Sequence, residues 1–234
     1  ANWQEKQGFI AVDNHDVRHE FIKNLEQLMH EWCLDFDYLT LNKLMTNDQS
    51  KLHPKWTSIE LEWQRNRAER IAAVEKANGF IPNLIGVLSN SPHALEMYQE
   101  VGKMNSRNSL TAEEIEVVQI TAAAHNGCDF CVAGHTKVGT KLKMPENVIN
   151  ALCKRTNIED NAKYQALAQF TMQLIDNRGQ VSDSELQAIK DAGYNDTNIL
   201  DIVMGVALAT LCNYANNVAK TDINPELQPF APKR

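Results

Sequence analysis

The amino-acid sequence predicts an all-α fold, a multi-helix bundle, from three observations. Gly (10) and Pro (7) are scarce among the 234 residues, and aromatic residues make up only 7% of them. This profile favours long helices over a turn-rich β fold. From residue 80 onward helix-capping patterns recur along the chain, and no convincing run of alternating β-branched residues interrupts them.

The first 78 residues are predicted to form an N-terminal helical extension, and residues 79–234 to form the main domain. Helices are expected at 15–33 and 58–77, the second ending at Asn78-Gly79, because Gly is typical of a helix C-terminus. Between these helices the sequence shows no clear period and predicts a long loop. The basic cluster RNRAER (65–70) contains a Glu and is interpreted as a solvated helix face.

Capping signals predict the helices of the main domain. Ser91 followed by Pro92 opens a helix over 91–105. Thr111 and Glu114 form the pattern of a capping box, which opens the next helix. The other predicted helices cover 145–155, 160–177, 182–193 and 197–218. The last of these is apolar over most of its circumference, which predicts a buried central helix.

Charge and hydropathy exclude several classes of protein. The net charge of -7 argues against a nucleic-acid partner, since phosphates require clustered Lys and Arg. The longest apolar stretch, 199–212, is shorter than the roughly 20 residues that cross a bilayer, so no membrane association is expected. The N-terminus lacks the pattern of a signal peptide, and the five cysteines do not suggest a secreted disulfide framework. The cytoplasm is the predicted location.

The segment HNGCDFCVAGH (125–135) is the main candidate for a functional site. If one helix ends at Asn126-Gly127, Cys128 falls in the first turn of the next, and Cys128, Cys131 and His135 share a face. A helix N-terminus stabilises a thiolate, and cysteines at this spacing can approach closely enough to form a disulfide. His135 is placed to take a proton from the Cys131 thiol.

Glu116, in the preceding helix, admits two interpretations. It is either an exposed acidic residue that interacts favourably with the helix N-terminus, or a buried carboxylate that orients His135 or a bound water. Periodicity alone does not separate the two.

A zinc site is the alternative for the same cluster. Cys128, Cys131 and His135 with His125 would suit zinc chemically, but structural zinc sites usually join separated chain segments, whereas these four crowd one helix junction. The remaining cysteines lie in apolar helical contexts and are predicted to pack in the core: Cys33, Cys153 and Cys212.

The four site residues carry a resemblance to a known family. Glu116, Cys128, Cys131 and His135 reproduce the E-x11-C-x-x-C-x-x-x-H signature of the alkylhydroperoxidase D-like branch of the carboxymuconolactone decarboxylase family. The likeness extends over about residues 79–231, including the flanks FIPNLIGVLSNSPHALEMYQEV and LCNYANNVAKTDINPELQPF. One departure is Phe130, which stands where some members have a second His between the cysteines.

The resemblance implies an all-α homo-oligomer, a trimer or hexamer, with thiol-dependent peroxidase or disulfide-reductase activity in antioxidant defence. It implies no metal, haem or other cofactor, and its partners would be a hydroperoxide and a dithiol or protein reductant. Cys131 would attack the peroxide, and Cys128, with the more exposed sulfur, would close the disulfide. Glu116 and His135 would relay the proton from Cys131.

Two other functions remain as alternatives. A non-redox, carboxymuconolactone decarboxylase-like enzyme would need general acid–base residues and not a vicinal dithiol, so the cysteine pair argues against it. A redox-sensing protein would form the disulfide without turning over a substrate, and stoichiometric oxidation would distinguish it.

Overall fold

The computed structural model describes residues 58–232, with side chains from residue 67 onward except Pro92. Within that range the chain forms nine α-helices, a final 3-10 helix (Gln228–Phe230) and no β-strand, so the all-α prediction is confirmed. The helices are α1 Ser58–Asn78, α2 Asn83–Leu88, α3 Pro92–Asn105, α4 Ala112–His125, α5 Asp129–Lys141, α6 Glu146–Lys154, α7 Ala162–Asp176, α8 Asp183–Asp191 and α9 Asp196–Ala219. The helix predicted at 15–33, the loop after it and Cys33 lie outside the described residues.

The chain divides into two units, Ala1–Leu95 and Glu96–Arg234. In the first unit, Arg67 is buried and its Nη2 donates a hydrogen bond to Ser89 Oγ at 3.3 Å. At Arg67 the prediction of a solvated face for the basic cluster is therefore wrong. The predicted division of the chain into 1–78 and 79–234 stays a prediction.

Helix α4 is the central helix of the second unit. Nine of its 14 residues are buried, and it packs against α5, α6, α7 and α9. The predicted capping box is present: Thr111 Oγ1 accepts from the Glu114 N–H, and Glu114 Oε2 accepts from the Thr111 N–H at 2.9 Å. Since such a cap satisfies backbone donors that would otherwise be unpaired, the start of α4 is fixed locally.

Glu114 also anchors a buried polar contact that the sequence did not predict. Its Oε1 accepts from the Tyr194 hydroxyl at 2.9 Å and pairs with Lys163 Nζ at 2.7 Å. Burial raises the pKa of the Glu114 carboxyl, but hydrogen bonds from Lys163, Thr111 and Tyr194 outweigh it and lower the pKa. Lys163 lies on α7 and Tyr194 just before α9, so this carboxylate ties both regions to the start of α4.

Helix α9 lies against α4 through a close backbone approach. A Cβ atom at Gly205 would stand 3.2 Å from Val118 Cγ1, which is tighter than ordinary packing. Gln119 Nε2 donates to the Gly205 carbonyl at 3.0 Å, across the same contact. The missing side chain at Gly205 therefore allows the two helices to meet.

The prediction of a buried central helix holds for only part of the surface of α9. Leu200, Tyr214 and Val218 are 69%, 55% and 57% exposed, so only one face of α9 is covered. Among the described residues α9 is also the one helix long and apolar enough to cross a membrane by composition. A core helix of a soluble protein passes the same test of length and composition. In α9, Ile202 and Leu208 are buried against the rest of the second unit.

Candidate active site

The turn between α4 and α5 presents the cysteine pair. Asn126 caps the end of α4, and Gly127 follows with φ +67°, a left-handed conformation that Gly adopts without strain. Cys128 is then the N-cap of α5, with extended backbone angles, and α5 begins at Asp129. The predicted helix junction is therefore present, but Cys128 precedes the first turn of α5.

The N-cap position brings the two cysteines together. The backbone N–H of Cys131 donates to Cys128 Sγ at 3.4 Å, and both side chains are free thiols. A hydrogen bond from the Cys131 side chain, supported by that backbone N–H, lowers the pKa of Cys128 despite its burial. The same bond, together with burial, raises the pKa of Cys131 well above its ordinary value. If the reduced pair loses one proton, these directions place the negative charge on Cys128 and leave the proton on Cys131.

Glu116 is buried, at 6% exposure, and faces His135. Its Oε2 accepts a hydrogen bond from His135 Nδ1 at 2.8 Å, which selects between the two interpretations of this residue. A neutral His135 that donates from Nδ1 carries its lone pair on Nε2, the nitrogen at which a proton can then be accepted.

His135 is influenced by Cys128 as well as by Glu116. Burial alone lowers the pKa of His135, but the charges of Glu116 and Cys128 outweigh this effect and raise it. Of the two cysteines, Cys128 is the one whose charge raises the pKa of His135, whereas the sequence predicted proton transfer from Cys131 to His135. The charge of Cys128 therefore acts on His135 as well as on Cys131.

Asn216, on α9, is a site residue that the sequence analysis missed. Its Nδ2 donates to Cys131 Sγ at 3.3 Å, and the side chain is only 3% exposed. Its Oδ1 is buried and has no hydrogen-bond partner among the described residues. An unpaired buried acceptor costs about 1–3 kcal/mol, so this atom needs a physical explanation. The signal available in the sequence was an Asn-rich stretch, NYANN, inside an otherwise apolar helix.

A cleft of about 510 Å³ opens beside the cysteine pair. Cys128 and Asn216 contribute to its walls, with residues of the 220–223 loop and the last 3-10 helix. Cys128 is 1% and Cys131 5% exposed as whole residues, so both cysteines are buried, and the greater exposure of the Cys128 sulfur stays a prediction. Of the two sulfur-bearing residues, however, Cys128 is the one that lines the cleft.

The histidines expected in the zinc alternative are engaged elsewhere. His125 Nε2 lies 2.7 Å from Asp176 Oδ1, at the end of α7, and His135 pairs with Glu116. Across the described part of the chain, no group of three or more His, Cys, Asp or Glu side chains is arranged to hold a metal ion.

The other described cysteines take no part in this hydrogen-bonded pair. Cys212 is buried, as predicted, and burial together with the charge of Cys128 raises its pKa to about 12. Cys153 is half-buried, with its Sγ 3.5 Å from Thr136 Oγ1, and burial raises its pKa. Neither thiol is activated in the way that Cys128 is.

An all-helical fold with a buried Cys-x-x-Cys pair at a helix N-terminus and a carboxylate–histidine pair beside it defines a vicinal-dithiol protein. Residues 92–158 match the sequence profile of the carboxymuconolactone decarboxylase family. The match falls within the region in which the sequence resembles that family, so the predicted resemblance is confirmed. A comparison with curated protein sequences gives no significant match.

Solved structures show the same fold. One is an alkylhydroperoxidase AhpD core, an uncharacterized peroxidase-related protein from Ralstonia eutropha JMP134, with 21% identity and a TM-score of 0.63 over 72% of this chain and 91% of that chain. A peroxidase-related protein from Silicibacter sp. TM1040 has 14% identity and a TM-score of 0.60, over 68% and 85% of the two chains. The debrominase Bmp8 has 14% identity and a TM-score of 0.59, over 78% and 96%. At these identities the similarity establishes the fold alone.

Proposed function

We propose that this protein is a thiol-dependent peroxidase and disulfide reductase that acts in antioxidant defence. The observation that supports this best is the geometry of the cysteine pair: the Cys131 N–H donates to Cys128 Sγ at 3.4 Å, and the two thiols lie side by side at the start of α5. The thiolate is the nucleophilic form of cysteine. The Glu116–His135 pair supplies a general acid–base group that can accept and donate protons during the reaction.

In the first step Cys131 attacks the terminal oxygen of the hydroperoxide. Cys131 passes its proton to the Cys128 thiolate, its sulfur forms an S–O bond, and the O–O bond breaks. The alkoxide that leaves takes a proton from protonated His135, which yields an alcohol and a Cys131 sulfenic acid. The raised pKa of His135 favours its protonated form, which is the form that donates the proton in this step.

In the second step Cys128 closes the disulfide. Neutral His135 takes the proton from Cys128, whose sulfur attacks that of Cys131. The S–S bond forms, the S–O bond breaks, and the departing hydroxide takes the proton back from His135 as water. An external dithiol or protein thiol then supplies two electrons and two protons, and attacks Cys128 because that residue lines the cleft.

Cellular context forms part of the proposal. We place the protein in the cytoplasm because its five cysteines do not suggest a secreted disulfide framework. The chemistry above uses only side chains of this chain and a thiol reductant, without a cofactor. Assembly as a homo-oligomer, a trimer or hexamer, is carried over from the family resemblance.

Intact mass with thiol counting, before and after one equivalent of hydroperoxide under metal-free conditions, tests the proposal. We expect loss of two thiols and two hydrogen atoms, mapped to Cys128 and Cys131, and continued peroxide consumption when a dithiol is added. Oxidation without turnover would favour a redox sensor. Survival of both thiols would rule out the peroxidase and leave a non-redox enzyme of the family.

Replacement of either cysteine by Ser is expected to abolish turnover for different reasons. Cys131→Ser removes the attacking sulfur, so the protein should not form a sulfenic acid. Cys128→Ser removes the resolving sulfur, so oxidation should stop at the Cys131 sulfenic acid, which dimedone labels. Cys153→Ser serves as the matched control and should retain turnover. Full turnover in the Cys131→Ser protein would refute the assigned mechanism.

A further inference from the structure

In the side-chain amide of Asn216, the nitrogen is hydrogen-bonded and the oxygen, within the described part of the chain, is not. Its Nδ2 donates to Cys131 Sγ at 3.3 Å, whereas its Oδ1 is buried without a hydrogen-bond partner in the described structure. Buried polar atoms are nearly always hydrogen-bonded. Because the other end of this amide contacts the Cys131 sulfur, the unpaired Oδ1 points to a partner that is acquired during the reaction. Asn216 is 3% exposed, so bulk water does not supply that partner.

The chemistry of Cys131 supplies a donor at this place. Oxidation by a hydroperoxide converts the thiol into a sulfenic acid, which adds an S–O–H group one bond away from the sulfur that Nδ2 contacts. The new hydroxyl is a donor, and the Oδ1 of the same amide is an acceptor. One amide can therefore hold the sulfur through its donor and the added hydroxyl through its acceptor.

We propose that Asn216 binds the oxidised sulfur, with Nδ2 donating to the Cys131 thiolate before attack and Oδ1 accepting from the Cys131 sulfenic acid afterwards. This inference rests on the proposed function, and it adds a residue that contacts the reacting atom from a different helix. Asn216 would therefore protect the intermediate. A sulfenic acid that is hydrogen-bonded to Asn216 persists until Cys128 attacks it, and is less prone to react with a second peroxide to form the sulfinic acid.

The test uses the full chain with Cys128→Ser, so that Cys131 cannot close the disulfide. The rate at which iodoacetamide labels Cys131 is measured by peptide mass across pH in three proteins: the Cys128→Ser parent, and the same protein carrying Asn216→Ala or Asn216→Asp. Loss of one hydrogen bond to a charged sulfur should lower the labelling rate near neutral pH about tenfold in the Ala variant. The Asp variant keeps the shape, loses the donor and adds a repelling charge, so its rate should fall further.

A second readout follows the intermediate. After one equivalent of hydroperoxide, the parent should accumulate the Cys131 sulfenic acid, whereas both Asn216 variants should convert it faster to the sulfinic acid when more peroxide is added. The matched control is Asn213→Ala, which removes a buried amide one turn earlier on α9, where Asn213 Oδ1 accepts a hydrogen bond from Asn126 Nδ2 at 3.0 Å. The control should lose stability without a change in the labelling profile.

The outcomes separate the two proposals. Equal labelling profiles and equal overoxidation in parent, Ala and Asp forms would overturn the role of Asn216 while leaving the peroxidase intact. A Cys131 that never gains oxygen in the parent would overturn the peroxidase, and with it the sulfenic-acid role of Asn216. Melting curves confirm that each variant is folded, and the Asp form keeps the test valid if the Ala form unfolds.

Discussion

Replacement of Glu116 by Gln removes the charge from the carboxylate–histidine pair and keeps its shape. The amide oxygen of Gln can still accept from His135 Nδ1, which now lies 2.8 Å from the Glu116 carboxylate. A hydrogen bond to a charged group contributes about 1.5–3 kcal/mol and a neutral one about 0.5–1.5 kcal/mol. Because 34% of the His135 side chain is exposed, solvent screens the pair, and we take the loss as about 1 kcal/mol.

The pH dependence of that loss follows from the sign of the shift. The pKa of His135 is raised in the folded protein, so the pair stabilises the fold fully below the unfolded value of about 6.5 and loses this contribution as pH rises through the folded pKa. The difference in free energy of unfolding between parent and Glu116→Gln should thus be largest near pH 6. It should shrink in alkaline solution.

Urea unfolding across this pH range measures the difference, and NMR titration of His135, assigned with His135→Gln, measures the proton affinity directly. A loss of about 1 kcal/mol corresponds to about a fivefold lower ratio of protonated to neutral His135 at a given pH. Asp176→Asn is the control, since it changes the carboxylate of the His125 pair and should leave the His135 titration unaltered. Identical His135 titrations in parent and Glu116→Gln would refute the reasoning, as would a stability loss that is independent of pH.

Two further predictions concern the packing and the thiols. Gly205→Val places a branched side chain where even a Cβ would lie 3.2 Å from Val118 Cγ1, so urea unfolding should show a loss of about 1–3 kcal/mol, and unchanged stability would contradict the close approach of α9 to α4. In the reduced parent at neutral pH, iodoacetamide should label Cys128 before Cys131, because the pKa of Cys128 is lowered and that of Cys131 raised. Peptide mass mapping reads the order, and faster labelling of Cys131 would reverse the assignment of the resting charge.

The parts of the fold that local interactions determine were predictable from the sequence. The capping box of Thr111 with Glu114 requires only residues three positions apart, and α4 begins at Ala112 as that pattern requires. Helix α2, in contrast, begins after Pro82 without a side-chain cap, and residues 84–88 are all buried. Its apolar run therefore has no period, and no helix was predicted there.

The parts of the site that depend on distant residues were not predictable. The sequence placed Cys128, Cys131 and His135 together because they lie within eight positions of one another. Whether Glu116 faced solvent or His135 depended on a contact 19 positions away. Asn216 meets Cys131 across 85 positions, and no periodic pattern encodes such a contact. Helix α9 was predicted to be a buried central helix because its composition is apolar, and composition does not reveal which face its neighbours cover.

The placement of Cys128 as the N-cap of α5 links helix stability to reduction potential. The reduced sulfur accepts the Cys131 N–H and so serves as the cap, which an unfolded dithiol cannot reproduce. A thiolate accepts a hydrogen bond more strongly than a disulfide sulfur, so this cap favours the dithiol over the disulfide and, in the proposed redox couple, would make the protein a stronger oxidant. Oxidation turns the cap acceptor into a neutral disulfide sulfur. In the proposed catalytic cycle, a reductant that returns two electrons to this pair would also restore the strong N-cap of α5, so that part of the driving force for reduction would be conformational.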